Sequence, residues 1–134
     1  FSAAGINNYK SFLADLSNSK QAIPAESFDL IIADVPCSGS GTWSRTPEQL
    51  YYFEPAKIDE YAKLQKSILN NVIVAMKTGG YFLYITCSVF KKENEDAVNF
   101  LLEKFNLKVL KMELLKGYEL KADTMFVALL QKQL

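Results

Sequence analysis

Two thiols carry the chemistry available to this chain. Cys37 stands in Asp34-Val35-Pro36-Cys37-Ser38-Gly39-Ser40-Gly41 and Cys87 in Thr86-Cys87-Ser88; they are the only cysteines, and each motif directly follows an apolar run. Histidine is absent, which removes histidine general bases, Ser-His and Cys-His pairs and the commonest metal ligand. Two cysteines fifty positions apart without a CxxC pair cannot build a structural zinc site by themselves, so no metal is expected. A reaction that needs a thiolate, a nearby carboxylate and a small-residue loop fits, and carbon-5 alkylation of a pyrimidine is one. A thiolate adding at C6 makes the ring enamine-like, so that C5 can attack an electrophilic methyl group; loss of the C5 proton and expulsion of the thiol restore aromaticity. Asp34, three residues before Cys37, is placed to bond the N3/N4 edge of the base. Two thiols permit a division of labour, one as nucleophile and one assisting release.

The elements that must position these groups are legible as patterns. Residues 28 to 33 (FDLIIA) and 80 to 85 (GYFLYI) are too apolar for half-exposed antiparallel strands, and a long helical pattern separates them, which predicts parallel strands joined by a crossover helix. Both thiols then emerge at the C-terminal edge of one sheet, where ligands bind in open parallel sheets. Upstream, residues 9 to 14 (YKSFLA) predict a short strand ending at Asp15, and 17 to 27 a polar connection. Thr42 to Phe53 is rich in aromatics and reads as an irregular lid in which Trp43, Tyr51, Tyr52 and Phe53 either stack on a flipped base or pack against the sheet. Pro55 suits a first helical turn, and Ile58, Tyr61, Leu64, Ile68, Leu69, Val72, Ile73 and Met76 recur at helical spacing until Gly79-Gly80. Lys92 to Phe105 predicts another helix, with Glu93, Glu95 and Asp96 near its positive end. Residues 107 to 114 and 124 to 131 predict two final strands, antiparallel because no helix separates them. The predicted order is β, β, α, β, α, β, β.

The 134 residues show no repeat, no low-complexity segment and no linker, so one domain is expected. Lys plus Arg and Asp plus Glu number 15 each; no overall positive field would draw the chain onto nucleic acid. The apolar runs fall short of the roughly 20 residues of a spanning helix, and the first residues lack a signal-peptide pattern. A cytoplasmic location with reduced thiols is expected. A first residue other than methionine is read as a fragment or a processed chain.

Asp34 to Thr42 with the following Arg45-Thr46-Pro47-Glu48, and Tyr84-Ile85-Thr86-Cys87-Ser88 with the following Glu93-Asn94-Glu95, resemble the fourth and sixth motifs of the Nop/Sun (Fmu-type) RNA cytosine-C5 methyltransferases. Leu64-Gln65 and the closing Asp123-Thr124-Met125-Phe126-Val127-Ala128 are also similar, so the resemblance covers essentially the whole chain. It implies a Rossmann-like, three-layer α/β methyltransferase sheet with an antiparallel strand near the far edge. It implies S-adenosylmethionine as cofactor and structured RNA, ribosomal or transfer, as substrate. By the same resemblance Cys87 is the C6 nucleophile, Cys37 assists elimination, Asp34 contacts the base near the donor, and Asp15 matches the acidic position that contacts the donor's adenine. Arg45, Pro36 and Ser38 are then expected at the substrate, with Glu48 as the alternative partner of Arg45. The family's glycine-rich donor loop has no counterpart here. The chain is therefore read as the C-terminal portion (1–134) of a catalytic domain, truncated on its N-terminal side, inactive alone and prone to self-association through an exposed sheet edge. Two other readings stay open. One is a DNA-type enzyme with Cys37 as nucleophile, and the other is a non-catalytic remnant that docks RNA or dimerises.

Overall fold

Apolar alternation in the two motif-bearing runs builds the centre of the sheet. The computed structural model describes residues 2–18 and 23–134. Strand β1 is Phe28–Asp34, followed by a short helix α1, Pro47–Tyr51, and the crossover helix α2, Ala56–Val72. Strand β2 is Met76–Thr86, helix α3 is Glu95–Lys104, and β3, Leu107–Leu115, and β4, Met125–Lys132, close the chain. The sheet order is β1-β2-β4-β3. β1 and β2 are parallel, as expected of a crossover, while β4 runs antiparallel to both its neighbours. That single reversed strand lies one place in from the far edge, so β3 again points the way of β1 and β2.

Alternate residues of β1, β2 and β4 enter one core. Ile31, Phe82, Tyr84, Phe126, Ala128 and Leu130 meet Leu69 and Val72 of α2 and Ala97, Val98 and Leu101 of α3, all of them buried. Burying each large side chain contributes roughly 1.5–3 kcal/mol before conformational entropy is set against it. Because α2 and α3 touch each other and share this core, both lie on the same face. Of the three layers expected, the described residues thus supply two. The opposite face carries Leu30 and Ile32, 53% and 60% exposed, beside half-buried Leu83, Ile85, Val127 and Leu129.

Three expectations need correction. The strand predicted at 9 to 14 is not formed: residues 9–15 run without strand structure, with Phe12 and Leu13 exposed. A strand needs a partner for its backbone groups, and among the described residues none pairs with β1 on its outer side, which leaves β1 an edge. The crossover helix does not reach Gly79-Gly80. It gives way to a 3-10 turn at Ile73–Ala75, and Met76 already begins β2. The two glycines instead make an irregularity in the β1–β2 ladder, where Phe28 pairs with Met76 but Leu30 with Tyr81. Gly79 takes a positive φ of 78° there, a bulge conformation that favours glycine. Finally, the helix expected from Lys92 starts as a 3-10 turn, Lys91–Glu93, before α3 proper. Part of the polar connection, residues 19 to 22, lies outside the described residues.

Candidate active site at the ends of β1 and β2

Parallel register brings the two motifs to one place. Asp34 is level with Ile85, and Val35 N donates to Ile85 O at 3.3 Å, so the Cys37 and Cys87 loops leave the sheet side by side. Backbone bonds then stitch them to the start of β4: Gly41 N donates to Cys87 O at 2.8 Å and Thr124 N to Gly41 O at 3.0 Å. A Cβ on Gly41 would lie 2.0 Å from Thr124 O and 3.1 Å from Cys87 O, so only glycine fits between the two strands. Gly39, at a φ of 69°, turns the loop to that approach.

The side chains around the thiols are joined as closely. Glu93 is fully buried and accepts from Ser38 N at 2.7 Å, Ser38 Oγ at 2.6 Å and Ser88 Oγ at 2.5 Å. Ser40 Oγ lies 3.3 Å from Ser88 Oγ and accepts from Val89 N at 2.9 Å. Asn94 accepts from Thr86 Oγ1 at 2.6 Å and donates to Ser88 O at 2.8 Å. From the helix layer, Gln65 Nε2 donates to Pro36 O at 2.9 Å and so fixes the peptide before Cys37.

Both cysteines are free and half-buried. The Cys37 sulfur sits against the backbone N–H groups of Gly39 and Cys87, which favour the thiolate. Burial outweighs them and, with the charge of Glu93, pushes the thiol up. Cys87 is also pushed up, by burial first and then by the carboxylates of Asp34 and Asp123, with Arg45 pulling the other way. Since an unperturbed cysteine titrates near 8.5, both groups rest as thiols at neutral pH.

The remaining expected residues are distributed around this pair. Asp34 is exposed at the tip of β1, and no side-chain hydrogen bond occupies it among the described residues; the nearby amide of Ser38 goes to Glu93. Asp15 accepts from Ser17 N at 3.0 Å and Ser17 Oγ at 2.6 Å and lines a cleft of about 400 Å³. Asp34, Ile32, Pro36 and Ile68 line the same cleft, whose size falls in the range of small-ligand sites. Arg45 pairs with Asp123, through Nε at 3.2 Å and Nη2 at 2.7 Å, and not with Glu48. In the lid, Trp43, Phe53 and Phe90 pack together with ring centroids 4.8 to 5.9 Å apart, whereas Tyr51 and Tyr52 project outward, 83% and 77% exposed.

Sequence reasoning missed the network under the thiols. Glu93 reads as an acidic first-turn residue, and only its burial shows that it serves two loops. The available signal was its place in Glu93-Asn94-Glu95, behind the second cysteine motif.

The Arg45–Asp123 pair makes Cys87 testable on its own. Asp123→Asn removes a charge that holds the thiol up and releases Arg45 to pull it down, so the alkylation rate of Cys87 should rise at a lower pH than in the parent. Arg45→Met should shift it to higher pH. Iodoacetamide labelling against pH, mapped by mass spectrometry at low salt, reads both; shifts in the same direction would show that this pair does not govern the thiol.

Comparison with known proteins gives consistent matches. The profile of the family described as 16S rRNA methyltransferase RsmB/F matches residues 2–132. Ribosomal RNA small subunit methyltransferase F of Shewanella amazonensis is 39% identical over 80 residues, which cover 60% of this chain and 17% of that protein. The 28S rRNA (cytosine-C(5))-methyltransferase of Mus musculus is 38% identical over 96 residues, 69% of this chain and 12% of that protein. The chain thus spans less than a fifth of the length of these relatives. Among solved structures, PH0851 superposes with a TM-score of 0.89 at 30% identity, over 98% of this chain and 32% of its own. NSun6 from Pyrococcus horikoshii, solved with the S-adenosylmethionine analogue SFG, gives 0.81 at 23% identity, over 98% of this chain and 36% of its own, a likeness of fold.

Proposed function

The chain belongs to the RsmB/F family of 16S rRNA methyltransferases, and from that premise we propose that it carries the thiol half of an active site that methylates C5 of a cytosine in RNA. The observation that carries this reading is the joining of two cysteine loops at one sheet edge, through Gly41, Cys87 and Thr124. The names of the relatives favour ribosomal RNA as the substrate.

In this mechanism Cys87, once ionised, adds to C6 of the cytosine. Asp34, exposed and without another hydrogen-bond partner among the described residues, holds the N3/N4 edge of the base. S-adenosylmethionine, when bound, supplies the methyl group that C5 takes up. Asp15 and Asp34 would hold it, and the cleft they share, with its Ile32 and Ile68 walls, suits one edge of a nucleoside. Cys37 then serves release. Its thiol gives a proton to the departing Cys87 sulfur and recovers one from C5, so the C5–H electron pair re-forms the C5=C6 bond as the C6–S bond breaks. A Cys37 that rests protonated suits this role. Arg45, Pro36 and Ser38 are assigned to the RNA side of the site, and Arg45 would exchange Asp123 for a phosphate.

The family's glycine-rich donor loop has no counterpart in residues 1 to 134. We take the chain as the C-terminal portion of a single catalytic domain. By itself it should bind the donor weakly and not turn over, and a saturable micromolar donor affinity would contradict this. The edge of β1 and the open apolar face favour self-association of the isolated chain. The described residues contain no helix long and apolar enough to cross a membrane, and a cytoplasmic setting suits the free thiols.

The test is a covalent one. Full-length enzyme is mixed with S-adenosylmethionine and RNA carrying 5-fluorocytidine, whose C5 fluorine blocks elimination, and the adduct is mapped by mass spectrometry. Attachment at Cys87 is expected. Attachment at Cys37 would transfer the nucleophile to the DNA-type arrangement, and no adduct on any ribosomal or transfer RNA would favour a docking remnant.

A further inference from the structure

Glu93 is an anomaly for the fold. It is a carboxylate with no exposed surface, and among the described residues no lysine or arginine pairs with it. Burying an unpaired charge is costly, and the helix start alone does not require it, since Glu95 and Asp96 already supply acidic residues to the first turn of α3. Three donors offset the cost, and they come from two places. Ser38 N and Ser38 Oγ belong to the residue after Cys37, and Ser88 Oγ to the residue after Cys87. One rigid group thus reads the position of both cysteine loops at once. Its own place is fixed independently, because Tyr84 Oη donates to Glu93 O at 2.5 Å and Asn94 ties the next residue to Thr86 and Ser88.

We propose that Glu93 is a positioning residue for product release, setting the approach of Cys37 to Cys87 by holding Ser38 and Ser88 on one buried carboxylate. The proposal rests on the functional reading above and goes beyond it, since it adds a residue that touches neither RNA nor donor. Nucleophilic attack needs Cys87 alone, whereas release needs a proton to pass between the two sulfurs, so the release step depends on their separation. The carboxylate also lies close enough to Cys37 to favour its protonated form, the form from which the departing sulfur takes its proton. Replacement by glutamine keeps the size but removes the charge and turns one acceptor into a donor, so that either Ser38 N loses its partner or the Ser38 and Ser88 hydroxyls, which share one oxygen, must both reverse from donating to accepting.

The experiment uses full-length enzyme with unmodified RNA and S-adenosylmethionine, and counts protein left covalently attached to RNA after denaturation. Glu93→Gln should accumulate a Cys87-linked complex several-fold above the parent, while the rate of adduct formation with 5-fluorocytidine RNA is unchanged. A group that only props up the fold would lower both in proportion and accumulate nothing, and that result overturns the proposal. Ser38→Ala is the milder companion: it removes one of the carboxylate's three bonds, together with the hydroxyl's contacts to Ser40 and Ser88, and leaves Ser38 N and Ser88 Oγ on the carboxylate. It should accumulate a smaller excess of complex, and if Glu93→Gln does not fold, a folded Ser38→Ala enzyme without accumulation overturns the proposal equally. Cys37→Ser, run alongside, identifies the source of a failure. If it accumulates complex and Glu93→Gln does not, the role of Glu93 is wrong; if it does not, the assignment of release to Cys37 is wrong, and the role of Glu93 falls with it.

Discussion

Replacing Cys87 by serine in the full-length enzyme is expected to stop methyl transfer and covalent attachment together, while Cys37→Ser leaves attachment intact and stops release. A serine hydroxyl is scarcely ionised at neutral pH, and removing a nucleophile costs many orders of magnitude in turnover, up to roughly a millionfold in a hydrolase where this was measured. Both thiols are free and pushed up by burial, and the two loops that carry them are bonded to one another through Gly41 N and Cys87 O. Opposite phenotypes would therefore reflect position and not intrinsic reactivity. Cys87 faces Asp34, Asp123 and Arg45, where a base can be held. Cys37 faces inward, to the amides of Gly39 and Cys87 and toward Glu93. Denaturing electrophoresis of enzyme mixed with RNA separates the outcomes. A covalent complex that persists in Cys87→Ser and vanishes in Cys37→Ser would reverse the assignment.

Gly41→Ala should be strongly damaging although Gly41 is not one of the reacting groups. Its Cβ would meet Thr124 O at 2.0 Å, and that atom is backbone at the entry to β4, with no flexible end to give way. Relief requires parting the Cys37 loop from β4, which also threatens the bonds from Gly41 N to Cys87 O and from Thr124 N to Gly41 O. Overpacking costs about 1–3 kcal/mol and each bond about 1 kcal/mol more. A loss of about 3 kcal/mol or more in denaturant unfolding is expected, with adduct yield falling alongside. Gly39→Ala offers a contrast. Its Cβ would find Gln49 Oε1 at an ordinary 3.5 Å, so only the positive φ is penalised, at about 1–2 kcal/mol. Equal losses at the two glycines would show that the Gly41 contact is slack.

Runs such as FDLIIA and GYFLYI could be recognised as parallel strands because they are apolar on both faces, although Leu30 and Ile32 stay exposed among the described residues, and the thiols could be placed at one edge because parallel strands end on the same side. The strand predicted at 9 to 14 failed for the converse reason. Its composition suits a strand, but pairing is a property of the neighbour, and none is present there among the described residues. Gly79-Gly80 misled in a similar way: glycine ends helices and also makes bulges, and only the ladder with β1 decides between them.

What the sequence by itself determined is the inventory and the order: two thiols, no histidine, an acid three residues before the first thiol, and the strands that deliver them. The tertiary structure alone decided who partners whom. Arg45 reaches Asp123, 78 positions away, in preference to nearby Glu48, and Glu93 turns from an ordinary helix start into the buried link between loops 50 positions apart. The physical reason is range. Apolar periodicity is written in neighbouring residues, whereas the satisfaction of a buried charge depends on donors that come close only after the sheet has formed.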